Sequence, residues 1–335
     1  MKLDRVVDLL REISTKRVLV IGDLMLDEFV WGRVSRISPE APVPVVEVIR
    51  ESYYPGGAAN VARNVREFTP FVFVMGLIGE DSYAQKLRKL LDGNGISLEG
   101  LQNDPSFQTI VKTRIIARQQ QVVRVDRERP HSLSEEGQAR CIEKVRALLP
   151  QLDAVIFEDY GKGFLQQNFV DQVATLAKGA GKLVTADPNP HNRLIWRGTS
   201  AVKPNRSEAF AAANRPWSEP QPDPLRDNPL LQVGAELLRH WKPDLLLITL
   251  GEQGMILFDQ ENPPFHIPSR AREVYDLSGA GDTAIGLFTL ALVSGASAIE
   301  AAEISNHASS VVVGKLGTAI LTPDELLESF HQRNG

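Results

Sequence analysis

The sequence predicts an α/β fold: a mostly parallel sheet covered by helices on both faces, with a small β sheet set apart from it. Two observations carry this. Short β-rich apolar runs at 17–21, 71–76, 154–157, 182–186, 201–202 and 245–249 alternate with amphipathic stretches of helical period at 84–91, 137–149, 169–178 and 233–240. Such alternation is the pattern of β-α-β units, whose crossovers lay helices on the sheet faces and leave neighbouring strands parallel. Two segments, 29–52 and 107–126, interrupt it, because each reads as paired strands with no helix inside.

Taken in order, the first fifteen residues alternate charged and apolar side chains at helical spacing and lack the long apolar core of a secretory signal. In the first interruption, 43–49 follows Pro42 and is rich in β-branched residues. In the second, 109–117 and 121–125 flank a polar turn, Arg118-Gln119-Gln120. Together the two segments are expected to form a small antiparallel sheet projecting from the main body, a lid over a cleft. The Pro- and Asp-rich stretch 216–229 is expected to be a surface loop. The whole chain, 1–335, is expected to be a single domain carrying this discontinuous lid.

Composition excludes some classes of function. With 335 residues, 43% hydrophobic and 24% charged, the chain can bury a sizeable core and is not disordered. A net charge of −5 leaves no broad basic field for nucleic acid. The single cysteine, Cys141, rules out a disulfide within the chain and sits on an amphipathic stretch as a small packed side chain. No apolar run reaches the roughly 18–20 residues needed to span a bilayer. A cytoplasmic location is expected.

Three segments carry chemistry. In Asp276-Leu-Ser-Gly-Ala-Gly-Asp-Thr283, a Gly-Ala-Gly turn opens an apolar helical run, 284–293. Free backbone N–H groups at a helix N-terminus bind phosphate oxygens, and the small residues allow close approach. Asp282, in the first helical turn, is placed to take a proton from an attacking hydroxyl. Taken alone, the segment could equally be a helix cap whose Asp complements the dipole. In Tyr54-Pro-Gly-Gly-Ala-Ala-Asn-Val-Ala-Arg-Asn64, Gly56 and Gly57 lead into a helix bearing Asn60, a floor on which a polyhydroxyl ligand can lie. In Lys203-Pro-Asn-Arg-Ser-Glu208, Asn205 and Glu208 fall on one helix face, where they could hold waters around Mg²⁺ or simply cap the helix.

With these three motifs in this order and spacing, the chain resembles the ribokinase-like (PfkB) sugar kinases along nearly its whole length. The resemblance implies a three-layer α/β/α body with a β lid, and ATP-dependent phosphoryl transfer to an alcohol. It makes Asp282 the catalytic base and Gly279, Ala280 and Gly281 the anion hole. It places Asp27, Gly56, Gly57 and Asn60 against the sugar. It assigns Asn205, Arg206, Ser207, Glu208, Thr249, Gly251, Gly254 and Asn306 to the ATP side, with Asn205, Glu208 and Asp187 around Mg²⁺ through water. A monovalent cation near 314–318 is a further expectation from some relatives.

A closer resemblance rests on 22–27, on Ser35-Arg-Ile-Ser-Pro-Glu-Ala-Pro-Val-Pro-Val45, and on 312–318. These segments are similar to the heptose 7-phosphate kinases, which phosphorylate the anomeric oxygen of D-glycero-D-manno-heptose 7-phosphate on the way to ADP-heptose and lipopolysaccharide core. Glu158-Asp-Tyr-Gly-Lys-Gly163 resembles those kinases' Asp-Tyr-x-Lys-Gly segment and puts Asp159 and Lys162 near the sugar. A phosphorylated substrate needs a cationic site, for which Arg33, Arg36, Lys112, Arg114, Arg118 and Arg124 are candidates.

Two departures stand out. The chain has no nucleotidyltransferase segment of the kind often fused to these kinases, so a stand-alone kinase is expected. Asp187-Pro-Asn-Pro-His-Asn192 replaces a common Asp-Pro-Lys-Gly, leaving a lysine contact missing that His191 could only partly supply. Kinases for fructose 1-phosphate or a nucleoside remain open as alternatives. So does a non-catalytic sugar or nucleotide sensor, although Asp282 and the Gly-Ala-Gly turn are intact. The unpaired edges of the lid strands lead to an expected homodimer through the lid.

Overall fold

A computed structural model describes residues 1–117, 120–129, 131–270, 279–315 and 319–331. Its strands are β1 (Arg17–Gly22), β2 (Leu24–Ile37), β3 (Pro44–Gly57), β4 (Phe71–Ile78), β5 (Ser97–Asn103), β6 (Ile110–Ala117), β7 (Gln120–Arg127), β8 (Ala154–Glu158), β9 (Leu183–Asp187), β10 (Ala201–Val202), β11 (Leu245–Thr249), β12 (Met255–Asp259) and β13 (Phe265–Ile267). The helices are α1 (Leu3–Ile13), α2 (Ala58–Arg66), α3 (Ser82–Gly93), α4 (Glu135–Leu148), α5 (Gln167–Gly179), α6 (Arg206–Ala212), α7 (Asn228–Trp241), α8 (Ala280–Val293), α9 (Ala298–Val313) and α10 (Pro323–His331).

Among the described residues the main sheet has 9 strands in the order β13-β12-β11-β10-β9-β8-β1-β4-β5. Seven of them, from β11 to β5, run parallel, and β12 and β13 add an antiparallel edge. Along β1, Val18 and Val20 pack to one side with α1, α2, α3, α8, α9 and α10, whereas Leu19 and Ile21 pack to the other with α4, α5, α6 and α7. That near-continuous apolar strand is what burial on both faces demands. Cys141 is buried in the second layer, where burial pushes its thiol up to about 12 and leaves it a packing residue. No helix of the described residues is long and apolar enough to cross a membrane.

The second sheet, ordered β3-β2-β6-β7, corrects one expectation. β2 pairs with β3, and β6 with β7, in antiparallel fashion, but β2 and β6 are parallel. The reason is topological. β2 follows β1 and β6 follows β5, and since both belong to the parallel set, the chain leaves the main sheet in the same direction each time. The β2–β3 hairpin is also longer than expected, because pairing runs from Leu24 with Gly57 out to Ile37 with Pro44. Gln120 belongs to β7 and not to the preceding turn. The 216–229 stretch is not loop throughout: a short 3-10 turn (Pro224–Arg226) and the start of α7 fall within it, capped by Asp227.

Candidate active site

In parallel α/β sheets the loops that follow the strands collect at their carboxyl ends, and ligands bind there. Here those ends carry Gly22 and Asp23 (β1), Glu158 to Lys162 (β8), Asp187 (β9), Lys203 to Asn205 (β10) and Thr249 (β11). The amino end of α8 comes down onto them. Gly279 caps that helix in the left-handed region (φ 80°), a conformation that favours glycine. A Cβ built on Gly281 would lie 3.6 Å from Lys203 Nζ and 3.8 Å from Asp187 Oδ2.

Asp282 is in the first turn of α8 and 7% exposed. Its Oδ2 accepts from Asn60 Nδ2 at 2.5 Å, and its Oδ1 accepts from the Tyr160 hydroxyl at 2.9 Å. Burial raises its pKa, while the bonds from Asn60 and Tyr160 and the charge of Lys203 pull it back. α2 and α8 are tied once more where Thr283 Oγ1 donates to Asn64 Oδ1 (3.1 Å). The Gly-Gly segment before α2 and the Gly-Ala-Gly turn are thus brought together, with Asn60 as the joint.

Asp27 lies on β2, beside Gly56 on β3, where any Cβ would meet Asp27 Oδ2 at 2.7 Å. Arg114 Nη1 donates to Asp27 Oδ1 at 2.5 Å. Burial raises the Asp27 pKa against the nearby charges of Arg114, Lys112 and Arg124. Lys112 stands opposite Asp27 in the β2–β6 pairing, and Arg124 opposite Arg114 in the β6–β7 pairing. Lys112 also pairs with Asp126 (3.2 Å) and Glu128 (3.0 Å), and Arg124 pairs with Asp126 (2.9 Å). Arg33 and Arg36 sit exposed toward the far end of the hairpin, away from Asp27. Arg118 and residues 276–278 lie outside the described residues.

Asp159 has its Oδ1 bonded by the Gly161 N–H (2.8 Å) and Asn192 Nδ2 (3.2 Å), and burial pushes its pKa up to about 7. Lys162 Nζ is held by Glu128 (2.9 Å). The loop that carries both is organised by Asp23, which accepts from the backbone N–H of Tyr160 (3.0 Å), Lys162 (3.0 Å) and Phe164 (3.2 Å).

On the other flank, Asn205 and Glu208 form a reciprocal capping box at the start of α6. Asn205 Oδ1 accepts from the Glu208 N–H (2.9 Å), and Glu208 Oε2 accepts from the Asn205 N–H (2.7 Å). Ser207 Oγ donates to the same Asn205 oxygen at 2.7 Å. The cap leaves the second carboxylate oxygen of Glu208 for other partners. Asn205 bridges to Thr249, so the loop that follows, with Gly251 and Gly254 at positive φ, stands alongside. Asn306 Nδ2 donates to the Pro268 carbonyl (2.7 Å) and so fixes the strand end across from α9. Arg206 is not brought to the cleft. Its guanidinium is ion-paired with buried Asp227 (2.8 Å), bonded to the Ser218 carbonyl, and stacked near Phe210 and Trp217.

Asp187 pairs with Lys203 Nζ at 2.8 Å. Burial pushes Asp187 up, to about 7, against the pull of that ammonium. Burial also works against the Lys203 charge, yet Asp187 and Glu208 hold its pKa above the ordinary lysine value. Glu158 is buried beside them, its Oε2 without a hydrogen-bond partner among the described residues, and its pKa is raised well above normal by burial and by Asp187 and Asp282. No group of three or more His, Cys, Asp or Glu among the described residues is arranged to hold a metal ion. The oxygens of Asp187, Asn205 and Glu208 are the hard donors that suit Mg²⁺ when waters intervene.

Four residues at this site escape a motif-level reading: Asp23, Glu158, Tyr160 and Lys203. Each lies inside a quoted segment. The signal for Asp23 and Lys203 was a charged residue at the carboxyl end of an apolar strand, where burial makes a charge costly unless it is used.

Comparisons with known proteins bear on the family and the fold. The family model described as pfkB family carbohydrate kinase matches residues 15–325. The bifunctional protein HldE of Desulfatibacillum aliphaticivorans is 40% identical over 314 residues, covering 93% of this chain and 63% of that protein. The HldE of Chromohalobacter salexigens is 42% identical over 331 residues, 99% of this chain and 66% of that protein. The chain therefore spans just under two thirds of the length of these relatives. Among solved structures, Arabidopsis thaliana ribokinase complexed with ribose and ATP superposes with a TM-score of 0.72 at 20% identity, covering 94% of this chain and 98% of that one. Escherichia coli phosphofructokinase-2 in complex with potassium gives 0.73 at 20% identity, covering 95% and 99%. These two likenesses establish the three-layer α/β fold.

Proposed function

Because the chain belongs to the pfkB family of carbohydrate kinases, we propose that it transfers the γ-phosphoryl group of ATP to the anomeric hydroxyl of D-glycero-D-manno-heptose 7-phosphate, giving the 1,7-bisphosphate. The observation that carries the kinase chemistry is Asp282, a buried carboxylate oriented by Asn60 and Tyr160 in the first turn of α8, beside the Gly279–Gly281 backbone. Supporting the sugar are the string 35–45 and the likeness to HldE proteins.

Asp282 accepts the proton of the anomeric hydroxyl as that oxygen forms its bond to the γ-phosphorus and the bond to the ADP oxygen breaks. Charge developing on the phosphoryl oxygens is met by the backbone N–H groups of Gly279, Ala280 and Gly281 at the positive end of α8. Asp27, Gly56, Gly57, Asn60, Asp159 and Lys162 line the sugar. Arg114 serves the substrate's 7-phosphate, with Lys112 and Arg124 beside it. Asn205, Ser207, Glu208, Thr249, Gly251, Gly254 and Asn306 flank the nucleotide. Asp187, Asn205 and Glu208 would hold Mg²⁺, which would neutralise phosphate charge there. A monovalent cation near 314–318 and a homodimer through the lid belong to the same proposal. The exposed apolar side chains Val48, Ile49, Val123 and Val125 on the lid support the dimer. The enzyme would act in the cytoplasm, where ATP and sugar phosphates are found.

The test is a panel assay with ATP, Mg²⁺ and phosphosugars, the product read by phosphorus NMR. The proposal expects a new anomeric phosphate on heptose 7-phosphate. Brisk turnover of fructose 1-phosphate or a nucleoside, with none of the heptose, would overturn the sugar assignment.

A further inference from the structure

The site gathers three buried carboxyl groups around one buried ammonium. Glu158, Asp187 and Asp282 are each 9% exposed or less. Asp187 and Asp282 both disfavour ionisation of Glu158, Asp282 also disfavours that of Asp187, and the charge of Lys203 acts on all three in the opposite sense. Lys203 itself is 2% exposed and immediately follows β10, its N–H donating to the Ala186 carbonyl (2.9 Å). Its ammonium is 2.8 Å from Asp187 Oδ2 and 3.6 Å from the point where a Cβ on Gly281 would stand. It therefore lies against the Gly-Ala-Gly turn. Burying an ammonium costs several kcal/mol even when it is paired. An Asp–Lys pair serving packing alone would be replaceable by apolar side chains of similar volume.

We infer that Lys203 is a positioning residue for phosphoryl transfer: it holds Asp187 in place and sets a fixed positive charge behind the anion-binding turn, offsetting the carboxylates that would otherwise repel the γ-phosphate. It also supplies, from the end of a neighbouring strand, a cation close to Asp187 in a chain whose own Asp187-Pro-Asn-Pro segment has none. Because Lys203 is buried, its charge is little screened by solvent, so its removal should be felt in the transition state more than in ground-state binding.

The inference rests on the kinase reading, and its test separates the two. Lys203→Gln is neutral but its amide can still donate to Asp187; Lys203→Arg is larger but keeps the charge. Both are compared with wild type for kcat, for acceptor KM, and for ATP and ADP affinity by calorimetry, with thermal melting to verify folding. The expected result is a fall in kcat of about 100-fold for Lys203→Gln, with acceptor KM within about threefold, and about tenfold or less for Lys203→Arg. ATP-over-ADP preference drops about tenfold in the Gln variant only. If Lys203 merely fills space, the order reverses, because Gln fits the cavity and Arg does not. That reversal, or a folded Gln variant within about threefold of wild-type kcat, overturns the inference. Should Lys203→Arg fail to fold, aminoethylated Lys203→Cys, nearly isosteric with lysine, takes its place. Should the wild type phosphorylate no acceptor, the kinase reading fails by itself. The ATP-to-ADP affinity ratio then decides Lys203: a drop confined to the neutral variant upholds it, and an unchanged ratio overturns it.

Discussion

The cleft has two unlike walls. On the main-sheet side, Asp282, Asp187, Glu158 and Lys203 are buried at strand ends and a helix start, locked by Asn60, Tyr160 and one another. On the lid side, Asp27 pairs with Arg114, and Lys112 with Asp126 and Glu128, on a sheet whose outer residues are open to solvent, Ile49 at 67% and Val48 at 57%. The first wall is preorganised and costs no rearrangement at the moment of reaction. The second has cations already paired with carboxylates, partnerships that a substrate phosphate can take over. On the proposed function, the contrast would put the chemistry on the sheet and the selectivity on the lid.

Stability should follow the same division. Phe288→Ala, in the fully buried centre of α8, should cost about 3–5 kcal/mol in denaturant unfolding. A loss under about 1 kcal/mol would mean that the helix carrying Asp282 is not anchored as described. The next largest effect tests the lid. Arg114→Gln should raise KM for the phosphosugar by about 30-fold, near 2 kcal/mol, with kcat changed far less, as expected for a charge-assisted contact to a phosphate. An equal fall in kcat would move Arg114 from selectivity to chemistry.

A smaller effect should come from Tyr160→Phe. The Tyr160 hydroxyl donates to Asp282 and lowers its pKa, so removing it raises that pKa further. A base works only when deprotonated. The acid limb of the kcat/KM profile should therefore move to higher pH, with a loss of about tenfold below the shifted limb and less above it. A shift to lower pH would contradict the bond's assigned role. Smallest of all, Val48→Ala should leave unfolding within about 0.5 kcal/mol of wild type, because the side chain is exposed. If the lid forms the dimer interface, the same change weakens association in sedimentation measurements.

Much of this was legible in the sequence because local patterns and chemistry coincide there. β1 and β11 are apolar runs buried on both faces, and α8 is apolar all round because it is buried all round. What escaped was set by tertiary context. β5 reads as polar and Gly-bearing (Ser97–Asn103) and becomes a strand by pairing with β4. β12 and β13 were hidden behind the Gly-rich turn before them. α9 is rich in Ala and Ser, with little amphipathic contrast because both of its sides are packed. The parallel pairing of β2 with β6 depends on where each hairpin leaves the main sheet, which no local pattern encodes. At the site, Asp282 and Asn60 stood out because glycines frame them. Tyr160 and Lys203 act through distances across strands, and Arg206, though inside a motif, points away to Asp227.

The proposed function rests on Asp282 as the base. The most direct measurement is kcat of Asp282→Asn beside its ADP affinity, since the amide keeps the shape and can still bond to Asn60 and Tyr160 but cannot take up the proton. A fall in kcat of about 1,000-fold or more, with ADP affinity within about threefold of wild type, is the predicted result. An Asp282→Asn enzyme retaining near-wild-type kcat would contradict the account.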